Sequence, residues 1–138
     1  MSYKFLEGIS LADVAFEARG KTLEEMFVSA AEAVTLTMVK DLKTIKPKVR
    51  KKLSLKAENV GKLLYAFLEE LIFLKDSKVM VFGKFKLKVS ETSLSGEILG
   101  EKLDMKEHEM LVDVKAVTMH MFEVKHGKVW KARVVLDV

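Results

Sequence analysis

The last two residues are the first candidates for chemistry. Asp137 and the carboxylate of Val138 stand one residue apart, after a strand-like run from Trp130 to Leu136. Two anionic groups held this close repel each other unless a cation lies between them, and hard cations such as Ca²⁺ and Mg²⁺ prefer oxygen ligands. The ending is therefore typical of half a divalent-metal site. The alternative is that Asp137 is solvated, because chain ends usually fray.

A second set of candidates lies in the segment 112–120, where Lys115, Thr118 and His120 stand among small and apolar residues. Strand alternation places Lys115 on the face opposite Thr118 and His120. Either set could line a site, or Lys115 could be solvated and His120 a hydrogen-bonded sheet histidine. A metal-dependent hydrolase with His120 as its base is a weaker alternative, since no other acid–base pair shows recognisable spacing.

The segment 40–56 is strongly basic and contains Asp41 as its one acid. It could hold RNA phosphates electrostatically, although no aromatic side chain interleaves the cations for base stacking. The candidate RNA contacts are Lys48, Arg50, Lys51 and Lys52. The alternative is an edge strand that lysines keep soluble and unpaired.

Several functional classes find no support in the sequence. The chain has no Cys, which excludes thiol chemistry and disulfides and suits a reducing cytoplasm. No phosphate-binding glycine loop, nucleophile elbow or His pair with zinc spacing occurs. The net charge of +4 is too small to indicate nucleic-acid binding by itself. We therefore expect a cytoplasmic protein that is not an enzyme and has no membrane segment.

The elements that must position these residues follow from periodicity. Thr22 with Glu25 predicts a capped helix over about 22–39, and Asn59 predicts the start of a second, strongly amphipathic helix. Period-two alternation predicts strands, which we place as follows: 13–19, 49–56, 84–89, 97–103 after a turn at 93–96, 112–124, and 128–136. With 138 residues, we expect a single α+β domain over 1–138 with two helices packed on mainly antiparallel sheet.

Several segments together resemble the archease family over nearly the whole chain. They are Ala12-Asp13, the helix start Thr22 to Phe27, the helix segment Leu63 to Leu74, the strand Val114 to His120 and the ending Leu136 to Val138. Each is weak alone, but their order and spacing are jointly specific.

The resemblance implies an accessory protein that assists tRNA splicing by activating an RtcB-type RNA ligase, with tRNA contacted through the ligase. It also implies a divalent cation, often calcium with magnesium or manganese as alternatives, held by Asp13, Asp137 and Val138. Lys115 and His120 would then lie near the site or contact the partner. An alternative is an RNA-binding module or chaperone that acts through the basic segment 43–56.

The chain departs from the family at one motif. The usual His-Thr-Ala-Asp is replaced by Ser10-Leu11-Ala12-Asp13, which keeps the aspartate and loses the histidine and threonine. This replacement predicts weaker metal binding or a divergent subfamily. The metal interpretation requires the Asp13 carboxylate to lie within about 6 Å of Asp137, so that both can reach one ion.

Overall fold

The elements of this computed structural model, which describes residues 1–6 and 13–138, follow the predicted order. They are β1 (Ser2–Leu6), β2 (Asp13–Gly20), α1 (Leu23–Met38), β3 (Val49–Lys56), α2 (Val60–Lys78), β4 (Met80–Val89), β5 (Ser93–Lys102), β6 (Ala116–His126) and β7 (Trp130–Asp137). A short 3₁₀ turn, Leu42–Thr44, precedes β3. The α+β class is confirmed. None of the helices described is long and apolar enough to cross a membrane.

The strands form two antiparallel sheets. The first has the order β1-β2-β7-β6 and the second the order β3-β5-β4. In the first sheet the pairing of β2 with β7 joins strands from opposite ends of the sequence. In the second, β3 and β4 flank the central β5. The basic strand β3 therefore lies at an edge, as predicted by the alternative to RNA binding.

Both predicted helices begin at their predicted caps. The Thr22 hydroxyl accepts a hydrogen bond from the Glu25 N–H at 3.2 Å, and the Glu25 carboxylate accepts one from the Lys21 N–H at 2.9 Å. At α2, Asn59 Oδ1 accepts from the Lys62 N–H at 2.9 Å. These bonds satisfy N–H groups that have no partner within a helix.

Thr22→Ala is expected to lower the free energy of unfolding by about 1 kcal/mol, because the Glu25 N–H loses its acceptor. Urea denaturation at neutral pH measures the change. Thr22→Ser keeps the hydroxyl and serves as the control. Equal losses for both substitutions would show that the methyl group, and not the cap, is responsible.

The hydrophobic core lies between the two helices and the inner faces of the sheets. Phe27 and Phe67 have no solvent exposure, and their ring centroids are 5.9 Å apart across the contact between α1 and α2. From the first sheet, Phe16, Val134 and Leu136 enter the same core. The strong apolar stripe of α2 is therefore explained by contacts with both sheets.

The starts of three predicted strands are wrong. β4 begins at Met80, before the predicted residue 84. The turn lies at residues 90–92, and 93–96 already belong to β5. Gly96 has φ +153°, and a Cβ there would lie 2.1 Å from the Lys86 carbonyl oxygen, so this glycine marks a close strand approach. The strand predicted from Val112 begins at Ala116, because the N–H groups of Leu111 and Val112 donate to carbonyls at the end of α1.

Candidate metal centre

Asp13 and Asp137 lie directly opposite each other. Asp13 is the first residue of β2 and Asp137 the last of β7, and the two are partners in the antiparallel register. Residues opposed in this way have Cβ atoms about 4.5–5.5 Å apart and project from the same face of the sheet. The structure therefore brings together the two aspartates that the sequence places at opposite ends of the chain.

Neighbouring strands hold this pair in position. On its other side Asp137 pairs with Ala116 of β6, and its carbonyl accepts a hydrogen bond from the Lys115 N–H at 2.8 Å. The β2–β7 ladder continues without interruption from Asp13 to Gly20. Val14 packs against the core and Leu136 lies fully within it, which directs both half-buried aspartates to the opposite face. The pair is anchored although it lies at the end of a ladder.

The same face carries an unsatisfied oxygen. Thr118 lies on β6 opposite Val135, diagonal to Asp137, and among the described residues its buried Oγ1 has no hydrogen-bond partner. A buried hydroxyl without a partner is costly unless a water or an ion satisfies it. Two carboxylates and a nearby hydroxyl form a set of hard oxygen donors, and such a set fits a divalent cation.

The charge around the pair also fits a cation. Across residues 1–6 and 13–138, the structure shows no ion pair to Asp13 or Asp137. The sequence of residues 7–12 contains no Lys, Arg or His. Like charges directly opposite each other destabilise a sheet. A bound divalent cation would remove this repulsion. The replacements at Ser10 and Leu11 lie outside the described residues.

The remaining candidates of the β6 segment lie around an irregularity. Lys115 is exposed immediately before β6, and His120 is exposed within it. The register of β6 against β7 shifts between Thr118 and Glu123, and Met121 has φ 56°. His120 lies within the irregular interval, so the register with β7 does not assign it a partner. Arg133 Nε donates to the Met121 carbonyl at 2.9 Å and secures this bulge.

The structure divides the four predicted RNA contacts. Lys48 Nζ lies 3.6 Å from Glu101 Oε1. Lys51 shares the inner face of β3 with the buried Leu53, whereas Arg50 and Lys52 are exposed on the outer face. Two of the four therefore share an exposed surface.

A buried cluster missed by the sequence analysis lies at the end of β5. His108 has no solvent exposure; its Nδ1 accepts from the Asp104 N–H and its Nε2 donates to Glu101 Oε2, both at 2.9 Å. Ligand atoms of Glu101, Glu107 and His108 all lie within 4.8 Å of one another. However, Lys48 is close to Glu101, and the Lys46 N–H also donates to it at 2.8 Å. This arrangement fits a hydrogen-bonded cluster that stabilises the fold better than it fits a metal site.

Lys75 is a second buried polar residue that the sequence did not reveal. Its ammonium group donates to Asp113 Oδ1 and, at 2.8 Å, to the Val114 carbonyl, and it lies 2.7 Å from Asp76 Oδ1. Burial lowers the pKa of Lys75, but the hydrogen bonds to Asp113 and Asp76 outweigh it and raise the pKa overall. Lys75 thereby ties α2 to the segment that leads into β6. Glu69 adds a second tie, since its carboxylate accepts from the Val117 N–H at 2.8 Å.

Comparison with known proteins agrees with this architecture. The chain is 35% identical to Methanobacterium thermoautotrophicum protein 1598, whose solution structure superposes with a TM-score of 0.83 over 99% of this chain and 98% of that one. An archease from Thermotoga maritima, described as a possible chaperone, is 23% identical, with a TM-score of 0.65 over 94% of this chain and 93% of that one, and shares the fold.

Curated relatives and a family model give the same result. The protein archease of Pyrococcus furiosus is 36% identical over 134 residues, and that of Methanothermobacter thermautotrophicus is 38% identical over 133 residues. Each match covers 92% of this chain and 93% of the relative. The model of the archease protein family matches residues 3–138. The chain therefore belongs to the archease protein family.

Proposed function

We propose that this protein is a cytoplasmic accessory factor that activates an RtcB-type RNA ligase in tRNA splicing and is not itself an enzyme. Such a ligase joins a 2′,3′-cyclic or 3′-phosphate end to a 5′-hydroxyl with GTP and a divalent metal. The proposed site consists of Asp13, Asp137 and the carboxylate of Val138, and the proposed cation is calcium, with magnesium or manganese as alternatives. Lys115 and His120 are proposed contacts of the ligase.

The observation that carries the proposal is the direct pairing of Asp13 with Asp137 in the β2–β7 register. Nothing in the core requires two carboxylates there, because the inward-facing neighbours Val14 and Leu136 supply the packing. A pair of like charges held on ordered strands without a described cationic partner costs stability, so we attribute it to function.

The geometry favours a site whose bound ion is also coordinated by a partner molecule. A cation such as calcium takes six to eight oxygen ligands, and the paired carboxylates with Val138 supply only part of such a shell. A bound cation would supply positive charge for phosphate groups at the surface of the protein. The chain's own contribution is to hold Asp13 and Asp137 in fixed register, through the ladder and the Lys115 N–H. The exposure of Lys115 beside them suits contact with a partner.

Asp137→Asn tests the proposal, because the amide keeps the shape of the side chain and removes its charge. We expect calcium binding, measured by isothermal titration calorimetry on the isolated protein, to weaken at least about tenfold. We also expect guanylylation of the ligase, measured with radiolabelled GTP, to lose its stimulation. Asp13→Asn should give the same two results.

Glu91→Gln is the matched control, since Glu91 is an exposed acid in the turn between β4 and β5. It should leave calcium binding and stimulation unchanged. Full stimulation of the ligase by the Asp137→Asn protein would refute the role of the site. Loss of stimulation with unchanged calcium binding would refute the role of a metal ion. It would indicate that Asp137 contacts the ligase directly.

A further inference from the structure

The outer face of the second sheet carries an unusual concentration of positive charge. Strand alternation brings to this face three cations from β3 and three from β4: Arg50, Lys52, Lys56, Lys84, Lys86 and Lys88. All six are exposed. The acid among them is Glu97, on the central strand β5. This face, which we call the basic face, therefore carries more positive charge than the +4 of the whole chain.

The register arranges these side chains in rows. Arg50 and Lys84 both pair with Leu99, and Lys52 and Lys86 both pair with Glu97. Same-face residues along a strand are about 6.8 Å apart, and the two outer strands are about 9.6 Å apart. The cations thus form two parallel lines along the sheet. Their spacing along each line is comparable with that of successive phosphates in a nucleic-acid strand.

Internal ion pairing leaves most of this charge available. In the part of the chain that the structure describes, Arg50 Nε lies 3.5 Å from Glu97 Oε2, and no ion pair involves Lys52, Lys56, Lys84, Lys86 or Lys88. By contrast, Lys48, just outside the basic face, is paired with Glu101.

The composition of the face distinguishes between kinds of partner. Protein interfaces have an apolar centre, and membrane-binding surfaces insert apolar side chains, but here Leu99 is the apolar side chain between the lines. Ser54, Ser95 and Ser93 lie among the cations instead. Serine hydroxyls bind phosphate oxygens, and they also bind the 2′-hydroxyl that distinguishes RNA from DNA.

We propose that the basic face binds the phosphate backbone of RNA without reading its sequence. The lysines of β3 and β4 contact phosphates on either side of β5, and the serines between them contact phosphates and 2′-hydroxyls. Lys86, Lys88 and Ser95 line a shallow groove of about 390 Å³ on this sheet. This proposal goes beyond ligase activation, because it assigns RNA contact to a surface made of other residues than the paired aspartates.

Fluorescence anisotropy of a labelled single-stranded RNA with the isolated protein tests the proposal and involves no ligase. Binding by the unmodified protein should weaken as salt rises, with a slope of log K against log salt near −4 if six phosphates are contacted. The triple variant Lys84→Gln, Lys86→Gln, Lys88→Gln should bind at least about tenfold more weakly and lower that slope by about 2. A single-stranded DNA of the same sequence should bind more weakly than the RNA.

Two further variants make the test decisive. The triple variant Lys21→Gln, Lys78→Gln, Lys106→Gln removes the same charge from exposed positions elsewhere, and it should bind RNA within about twofold of the unmodified protein. Glu97→Gln removes the acid from the basic face and should strengthen binding, an effect that misfolding does not produce.

Three results would overturn the proposal. The first is an absence of RNA binding at 50 mM salt. The second is an equal loss in both triple variants, which would show that only total charge matters. The third is self-association of the Lys84→Gln, Lys86→Gln, Lys88→Gln variant, measured by light scattering, when the unmodified protein does not bind RNA. In that case the lysines only protect the sheet edges.

Discussion

Glu101→Ala is expected to lower the free energy of unfolding by about 3 kcal/mol at pH 7. The Glu101 carboxylate is 5% exposed and accepts hydrogen bonds from the Lys46 N–H and from Nε2 of the fully buried His108. Removing it leaves both donors without an acceptor, and an unsatisfied buried donor costs about 1–3 kcal/mol. Urea denaturation followed by the fluorescence of the single tryptophan, Trp130, measures the loss.

One control substitution separates this interaction from other effects on stability. Glu107→Ala removes an exposed acid from the loop that contains His108 and should change stability by less than about 0.5 kcal/mol. Equal losses of stability in Glu101→Ala and Glu107→Ala would contradict a stabilising role of the buried hydrogen bonds to Glu101.

The stabilisation by Glu101 should also depend on pH. The hydrogen bond from the Lys46 N–H, with His108 and Lys48 nearby, outweighs burial and holds the pKa of Glu101 below its usual value. A carboxyl group with a lowered pKa stabilises the folded state above its unfolded pKa, near 4.5, and this contribution disappears as pH falls through the folded pKa. The stabilities of Glu101→Gln and the unmodified protein should therefore differ at pH 7 and converge in acid. A constant difference from pH 7 to pH 3 would refute this.

Lys75→Ala is the substitution with the second-largest expected effect, about 3 kcal/mol of lost stability. The buried ammonium group donates to Asp113 and to the Val114 carbonyl. Its loss leaves that carbonyl unsatisfied and opens a cavity beside α2. Lys75→Met keeps most of the volume and should recover part of the loss. The control is Lys78→Met, one turn later on the helix and exposed, which should change stability by less than about 0.5 kcal/mol.

Substitution of Lys75 by Met should also weaken cation binding at the candidate metal centre. Lys75 fixes Asp113 and Val114, the next residue is Lys115, and the Lys115 N–H donates to the Asp137 carbonyl. Lys75→Met should therefore reduce calcium affinity, measured by calorimetry under conditions where the protein is still folded, although it lies on another element than the aspartates. Unchanged affinity in this variant would show that the β2–β7 ladder alone positions Asp137.

Sequence patterns predicted the helices and most strands because each rests on local physics. Thr22 and Asn59 cap their helices as expected, and alternation correctly separated Arg50 and Lys52 from Leu53. The start of β5 was misplaced because serine and glycine are typical of turns, whereas Gly96 is required by a close approach of β4. Local composition does not distinguish these two uses of glycine.

The long-range features lay beyond sequence patterns. No sequence pattern indicates that His108 and Lys75 are buried. Lys75 is compensated by Asp113, far along the chain, and His108 is compensated by Glu101, which lies on a neighbouring strand. The division into two sheets depends likewise on which strands pair. The juxtaposition of Asp13 and Asp137 was expected from the family resemblance, since strand periodicity alone assigns no neighbour to either residue.

The pairing of β2 with β7 has a kinetic consequence. Each contact in this ladder joins residues more than a hundred positions apart, so the chain must close its longest loop before the centre of the first sheet exists. Non-local pairing of this kind slows folding, whereas the hairpins β4–β5 and β6–β7 can form early. The second sheet is therefore expected to gain hydrogen-exchange protection first during refolding. Asp13 and Asp137 are then expected to come together last, so cation binding would report that the fold is complete.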